Sequence, residues 1–157
     1  MRKTNFLTKI HKEGKLQIVE PSDIIKSAYV DKSESHLASA KLLLANNRLE
    51  EAVSMAYYSM YHMSLALLFR VGIKCENHMA TAILLKEVFS VDSSALMSAK
   101  RDRVDVQYYV DFHITKEEIE KLIEMAEEYN ATIYDFIEKL NNEMVTEFRK
   151  IFSRIIK

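Results

Sequence analysis

Two stretches hold the residues able to do chemistry. The first, AYYSMYHMSLALLF at 56–69, sets three tyrosines and a histidine in an otherwise apolar run. The second, RDRVDVQYYVDFH at 101–113, crowds two arginines, three aspartates, two tyrosines and a histidine together. A buried tyrosine hydroxyl needs a hydrogen-bond partner. Histidine gains or loses its charge close to neutral pH, and the planar fork of arginine matches phosphate. These residue types fit anion binding and proton transfer.

Helical spacing sorts the candidates. In the first stretch residues four apart share a face: Tyr57 lies above Tyr61, and Tyr58 above His62, continuing to Leu65 and Phe69. Met55, Met60, Met63 and Leu67 fill the remaining faces, so the helix is apolar nearly all round. Such a helix is either central in its bundle or covered by a partner. A five-helix bundle hardly buries every face of one member, so the pattern predicts self-association. The plain alternative is a set of packed tyrosines with His62 as a satisfied core histidine.

In the second stretch Arg103 shares a face with Leu96, Ala99, Val106 and Val110, on the stripe that should meet the core. Asp102 falls on the neighbouring row, and Arg101, Asp105 and Tyr108 form another. Charges in such positions cost free energy unless paired. Either Asp102, Arg103 and Asp105 form an internal ion-pair network, or Arg103 lines a cleft and binds an anion such as phosphate. The spacing allows both.

The elements that must position these residues are helices. The 157 residues suit one domain of roughly 100–200 residues. Only two glycines and one proline occur, too few punctuators for an all-β fold. The pattern predicts an all-α antiparallel bundle of about five helices spanning 21–141. Pro21-Ser22-Asp23 starts the first, which runs to Asn46-Asn47. Leu49 to Val71 is the second, closed by Gly72. Asn77 to Phe89 is the third. Ser93 or Ser94 opens a fourth, running to about Val110. Thr115 and Glu118 form a capping box before the fifth. Residues 1–20 read as a flexible or loosely docked lead-in, with LQIV at 16–19 as a short extended piece. Residues 142–157 read as an amphipathic helical extension.

Composition narrows the function. A net charge of −1 gives no global basic field for nucleic acid. The single cysteine, Cys75, cannot close an internal disulfide and fits a reducing, cytoplasmic compartment. His11, His36, His62, His78 and His113 lack the dense spacing of a metal site, so no metal and no cofactor is assigned. The run Ala56–Val71 falls short of the ~20 apolar residues a membrane span needs.

Taken together, the tyrosine helix, Gly72 and His78, the arginine helix and TKEEIEKLIEMAEEYNATIYDFI at 115–137 resemble the HEPN domain family over roughly residues 25–141. The resemblance implies a five-helix bundle that pairs as a symmetric homodimer. It also implies a minimal nucleotidyltransferase as a toxin–antitoxin partner, and metal-independent ribonuclease activity at the dimer cleft. The family's motif is an arginine and a histidine with four to six residues between them. Here Arg103 matches the arginine, and Tyr108 stands where the histidine belongs. In the register of Arg101 the histidine positions hold Val106, Gln107 and Tyr108. Tyrosine, with an ordinary pKa near ~10, replaces histidine poorly in proton transfer.

Three functions follow as expectations. The favoured one is a dimeric module binding nucleotide, RNA or a nucleotidyltransferase. The second is a divergent ribonuclease using Arg103 with His62, His78 or His113. The third is a purely structural dimer. The candidate cleft residues are Arg101, Asp102, Arg103, Asp105, Tyr108, Tyr58, Tyr61, His62 and His78; which of them is catalytic is open.

Overall fold

The computed structural model describes residues 2–157. Its elements run α1 (Arg2–Lys12), β1 (Leu16–Ile18), α2 (Asp23–Ala45), α3 (Leu49–Val71), β2 (Ile73–Cys75), α4 (His78–Phe89), α5 (Ser94–Tyr108), α6 (Lys116–Glu138) and α7 (Asn142–Ile156). The five helices expected between residues 21 and 141 are α2 to α6, and the fold is all-α apart from one short ribbon. In that ribbon β1 pairs antiparallel with β2, Leu16 facing Cys75 and Ile18 facing Ile73.

The boundaries follow local chemistry. Ser22, Asn77 and Asn141 each accept a hydrogen bond from the backbone three residues on, which starts α2, α4 and α7. Thr115 and Glu118 complete the capping box of α6. Gly72 ends α3 in the left-handed region at φ +85°. A Cβ there would run into the Arg149 guanidinium and the Val19 carbonyl, so only glycine fits. α5 stops at Tyr108, two residues earlier than its apolar spacing suggested. Ser93 precedes it without a side-chain cap.

α3 is the hub. It packs mainly on α2, then on α6 and α5. Fourteen of its residues are buried, including Tyr57, Met60, Tyr61 and Met63. One chain therefore covers the all-round apolar helix by itself. The inference of self-association from an uncovered face of this helix does not hold. The missing cover comes partly from the termini. Leu7 of α1, Leu16 of β1 and Phe152 of α7 are all fully buried, and α1 packs on α7. Among the described residues, no helix is long and apolar enough to cross a membrane.

A buried polar seam fixes how α2, α3 and α6 meet. The Ser33 hydroxyl donates to the Ser59 carbonyl at 2.6 Å, and the Ser59 hydroxyl donates to the Ser33 carbonyl at 2.7 Å. Asn130 on α6 donates to the Ser59 hydroxyl at 2.9 Å, and Ser64 shares a 2.6 Å bond with the Tyr129 hydroxyl. Each bond needs small side chains in one helical register, so the seam locks the rotation of α3.

Candidate functional site

The seam fixes which side of α3 faces α4 and α5, and there the polar tips of the tyrosine helix converge. The Arg103 guanidinium, from α5, lies over two rings of α3, 5.2 Å from the Tyr57 centroid and 5.4 Å from that of Tyr58. Such contacts favour a cation, more so when desolvated. Its Nη1 donates to the Tyr58 hydroxyl at 3.2 Å and to the Gln107 amide oxygen at 3.1 Å. Its Nε is buried and has no partner among the described residues. Both partners of the guanidinium are neutral. Among the described residues, Asp102 and Asp105 form no salt bridge with it, so the ion-pair network is absent. The charge on Arg103 is half-buried and uncompensated by any carboxylate contact.

His78 sits at the first turn of α4, against the same rings. Its Nδ1 shares a 2.6 Å hydrogen bond with the Tyr57 hydroxyl, and its ring stacks on Tyr61 at 4.0 Å. Burial, then the charges of Arg103 and Lys100, hold its pKa below the ordinary value. It is therefore neutral at pH 7. Burial raises the Tyr57 hydroxyl well above its ordinary range, and Arg103 opposes this only in part. Tyr61 is likewise pushed up to about 12, chiefly by burial. Both tyrosines are protonated at neutral pH. The Tyr57–His78 bond permits two tautomers. If Tyr57 donates, Nε2 of His78 carries a proton and can donate to an anion. If Tyr57 accepts, Nε2 is a free base.

His62 lies one step along α3. Its ring stacks on His36 of α2 at 4.8 Å, with Tyr29 at 5.7 Å and Tyr58 at 6.2 Å. Burial first, then His36, Lys32 and His78, push its pKa down to about 4. The Tyr58 carbonyl one turn back favours the charged form slightly, without hydrogen-bonding geometry; among the described residues the buried Nδ1 has no partner. His62 is thus not the satisfied core histidine of the plain reading.

The remaining candidates stand elsewhere. Arg101 is exposed, and Tyr108 is 68% exposed. Asp102 and Asp105 are half-buried near each other. Burial, then Asp105, raises the Asp102 carboxyl, with Arg101 opposing. His113 is exposed before the Thr115 cap, and His11 bonds the Leu16 carbonyl through Nδ1 at 2.7 Å. Among the described residues no three His, Cys, Asp or Glu side chains converge as metal ligands. The structure thus brings together Arg103, Tyr58, Tyr61, His62 and His78, and leaves out Arg101, Asp102, Asp105 and Tyr108.

Four members of the cluster were not among the sequence candidates: Tyr57, His36, Tyr29 and Gln107. Gln107 was recoverable, because it follows Arg103 by four residues on one helix. Tyr57 shares the Tyr61 stripe, but spacing alone does not choose between three tyrosines. His36 and Tyr29 enter through the packing of α2 on α3, which no local pattern reports.

Comparison with known proteins agrees with this architecture. The family model described as HEPN domain matches residues 27–142, and the chain belongs to that family. The matched span holds the whole cluster and leaves out α1 and β1. The chain is also similar to a UPF0332 protein of Pyrococcus horikoshii, with 41% identity over 58 residues. That stretch covers 37% of this chain and 39% of the relative's length.

Proposed function

We propose that this protein is a HEPN-type binding module, a cytoplasmic homodimer that holds a phosphate of RNA or of a nucleotide at the Arg103 cluster. Its cognate partner on this reading is a minimal nucleotidyltransferase, in a toxin–antitoxin pairing. One observation carries the reading. A guanidinium stacked over two tyrosines keeps a buried donor without a protein partner, beside a neutral imidazole and with no carboxylate in contact. A phosphate oxygen would satisfy that donor and neutralise that charge.

The test is binding of fluorescent adenosine nucleotide and short RNA to wild type and to Arg103→Ala. The expected result is a loss of about tenfold or more, equivalent to about 1.4 kcal/mol, with the fold intact by circular dichroism. Equal binding by both proteins sinks the assignment. Sedimentation at tens of micromolar, a rough working concentration, tests the dimer.

The position of His78 favours a second reading, metal-independent RNA cleavage. The motif spacing lacks a histidine, yet α4 delivers one beside Arg103. With Nε2 as a base it could accept the proton of a ribose 2′-hydroxyl while Arg103 meets the charge growing on phosphate. Cleavage in EDTA that both His78→Ala and Arg103→Ala abolish supports this. Binding without cleavage leaves the module reading in place.

A further inference from the structure

The two terminal segments do something together that neither does alone. Residues 1–20 hold five Lys or Arg against two Glu, and residues 142–157 hold four against two. The residues between them hold 13 against 19. The termini thus carry a formal +5 and the middle −6, within a chain of net −1. The fold packs α1 on α7, so the two basic segments meet at one end of the molecule.

At that end, beside the outer end of β1, lies a groove of about 380 Å³. Arg149, Lys150, Arg154 and Lys157 line it, with the hydroxyls of Thr146 and Ser153. These six positions step by three and one along α7, so they form one face of the helix. Glu147 answers Lys150 at 3.1 Å. Among the described residues Arg154 and Lys157 have no ion pair, and Arg149 spends Nη1 on three carbonyls. Gathering like charges costs self-repulsion. The chain has carboxylates enough to relieve it and places most of them elsewhere.

We propose that this groove binds the phosphate backbone of a single-stranded nucleic acid. A basic stripe along a helix with interspersed hydroxyls is the footprint of backbone contact, which positions a strand without reading bases. The surface is separate from the Arg103 cluster. Arg149 touches the end of α3 at Val71, whereas Arg103 touches Tyr58, about 20 Å away along the helix at roughly 1.5 Å per residue.

The experiment is anisotropy with a labelled single-stranded RNA of roughly 20 nucleotides and its DNA counterpart, over a salt series. It compares wild type, Arg103→Ala, Glu147→Gln and a variant combining Lys150→Ala, Arg154→Ala and Lys157→Ala. Those three side chains are exposed, so the triple variant should melt like wild type. Wild type should bind with a log–log salt slope that the triple variant reduces by about 2, given about 0.7 per phosphate contact. The triple variant should also lose about tenfold in affinity at low salt. Glu147→Gln should bind more tightly, and Arg103→Ala, which removes at most one phosphate contact at its own site, should lower the slope by no more than about 0.7, well short of the triple variant. Equal binding of RNA and DNA assigns the contact to phosphate alone, and RNA preference adds the ribose. An unchanged slope in the triple variant, or no binding by wild type at low salt, overturns the proposal. Capture of polyglutamate with no nucleic-acid binding overturns it in favour of an acidic protein partner.

Discussion

At the scale of single residues, the cluster trades stability for polar groups held ready. His62 is the clearest case, because its pKa falls from an ordinary 6.5 to about 4 on folding. The unfolded chain binds a proton through that window while the folded chain does not. Stability is therefore fully present above about pH 6.5 and falls as pH drops towards 4. His36 and His78 shift in the same direction, chiefly through burial, and add to the slope. Screening at a half-buried ring limits the contribution of His62 to roughly 1–3 kcal/mol. Replacing it by a planar apolar ring removes both the titration and a buried unpartnered nitrogen. His62→Phe should therefore flatten the acid limb of a melting-temperature profile and leave the neutral-pH value equal or higher. A steeper acid limb in the variant would refute this account.

At the scale of elements, much was legible from the sequence, for identifiable reasons. Gly72, the Thr115–Glu118 box and the stacking of Tyr57 on Tyr61 and of Tyr58 on His62 are local, and local patterns reported them. The position of Arg103 on the inward-facing stripe of its helix was legible too, but its partners were not. Whether a guanidinium meets a carboxylate or a ring depends on how α5 is rotated against α3. The α3 side of that contact follows the seam of Ser33, Ser59, Ser64 and Asn130, which reads in sequence as scattered small polar residues. Ser59→Ala tests the seam. It removes the acceptor of Asn130 and the donor to Ser33 together, so it should cost about 1–3 kcal/mol in chemical denaturation. It should also weaken binding at the Arg103 site, since α3 would lose its register. A neutral effect would mean that apolar packing alone sets the rotation.

At the scale of the whole molecule, the terminal segments are where the sequence said least. The extended piece at LQIV became β1, but its pairing was not legible, because its partner lies 55 or more residues away. Its neighbour α7 is tied to the end of α3 by one side chain: Nη1 of Arg149 donates to the carbonyls of Val19, Val71 and Gly72 at 2.7, 3.0 and 3.2 Å. Arg149→Met keeps much of the apolar stem and removes these bonds. It should lower stability by about 2–3 kcal/mol, with hydrogen exchange rising first in β1 and at the end of α3. Uniform loss of protection across the bundle would contradict a local role. The same anchor sets a timetable during synthesis. The 78 residues added after Val71 up to and including Arg149 take roughly 4–16 s to translate at about 5–20 residues per second. Until then the end of the central helix waits in water for its last donor, and the nascent chain carries an unfinished hub that depends on residues still to be made.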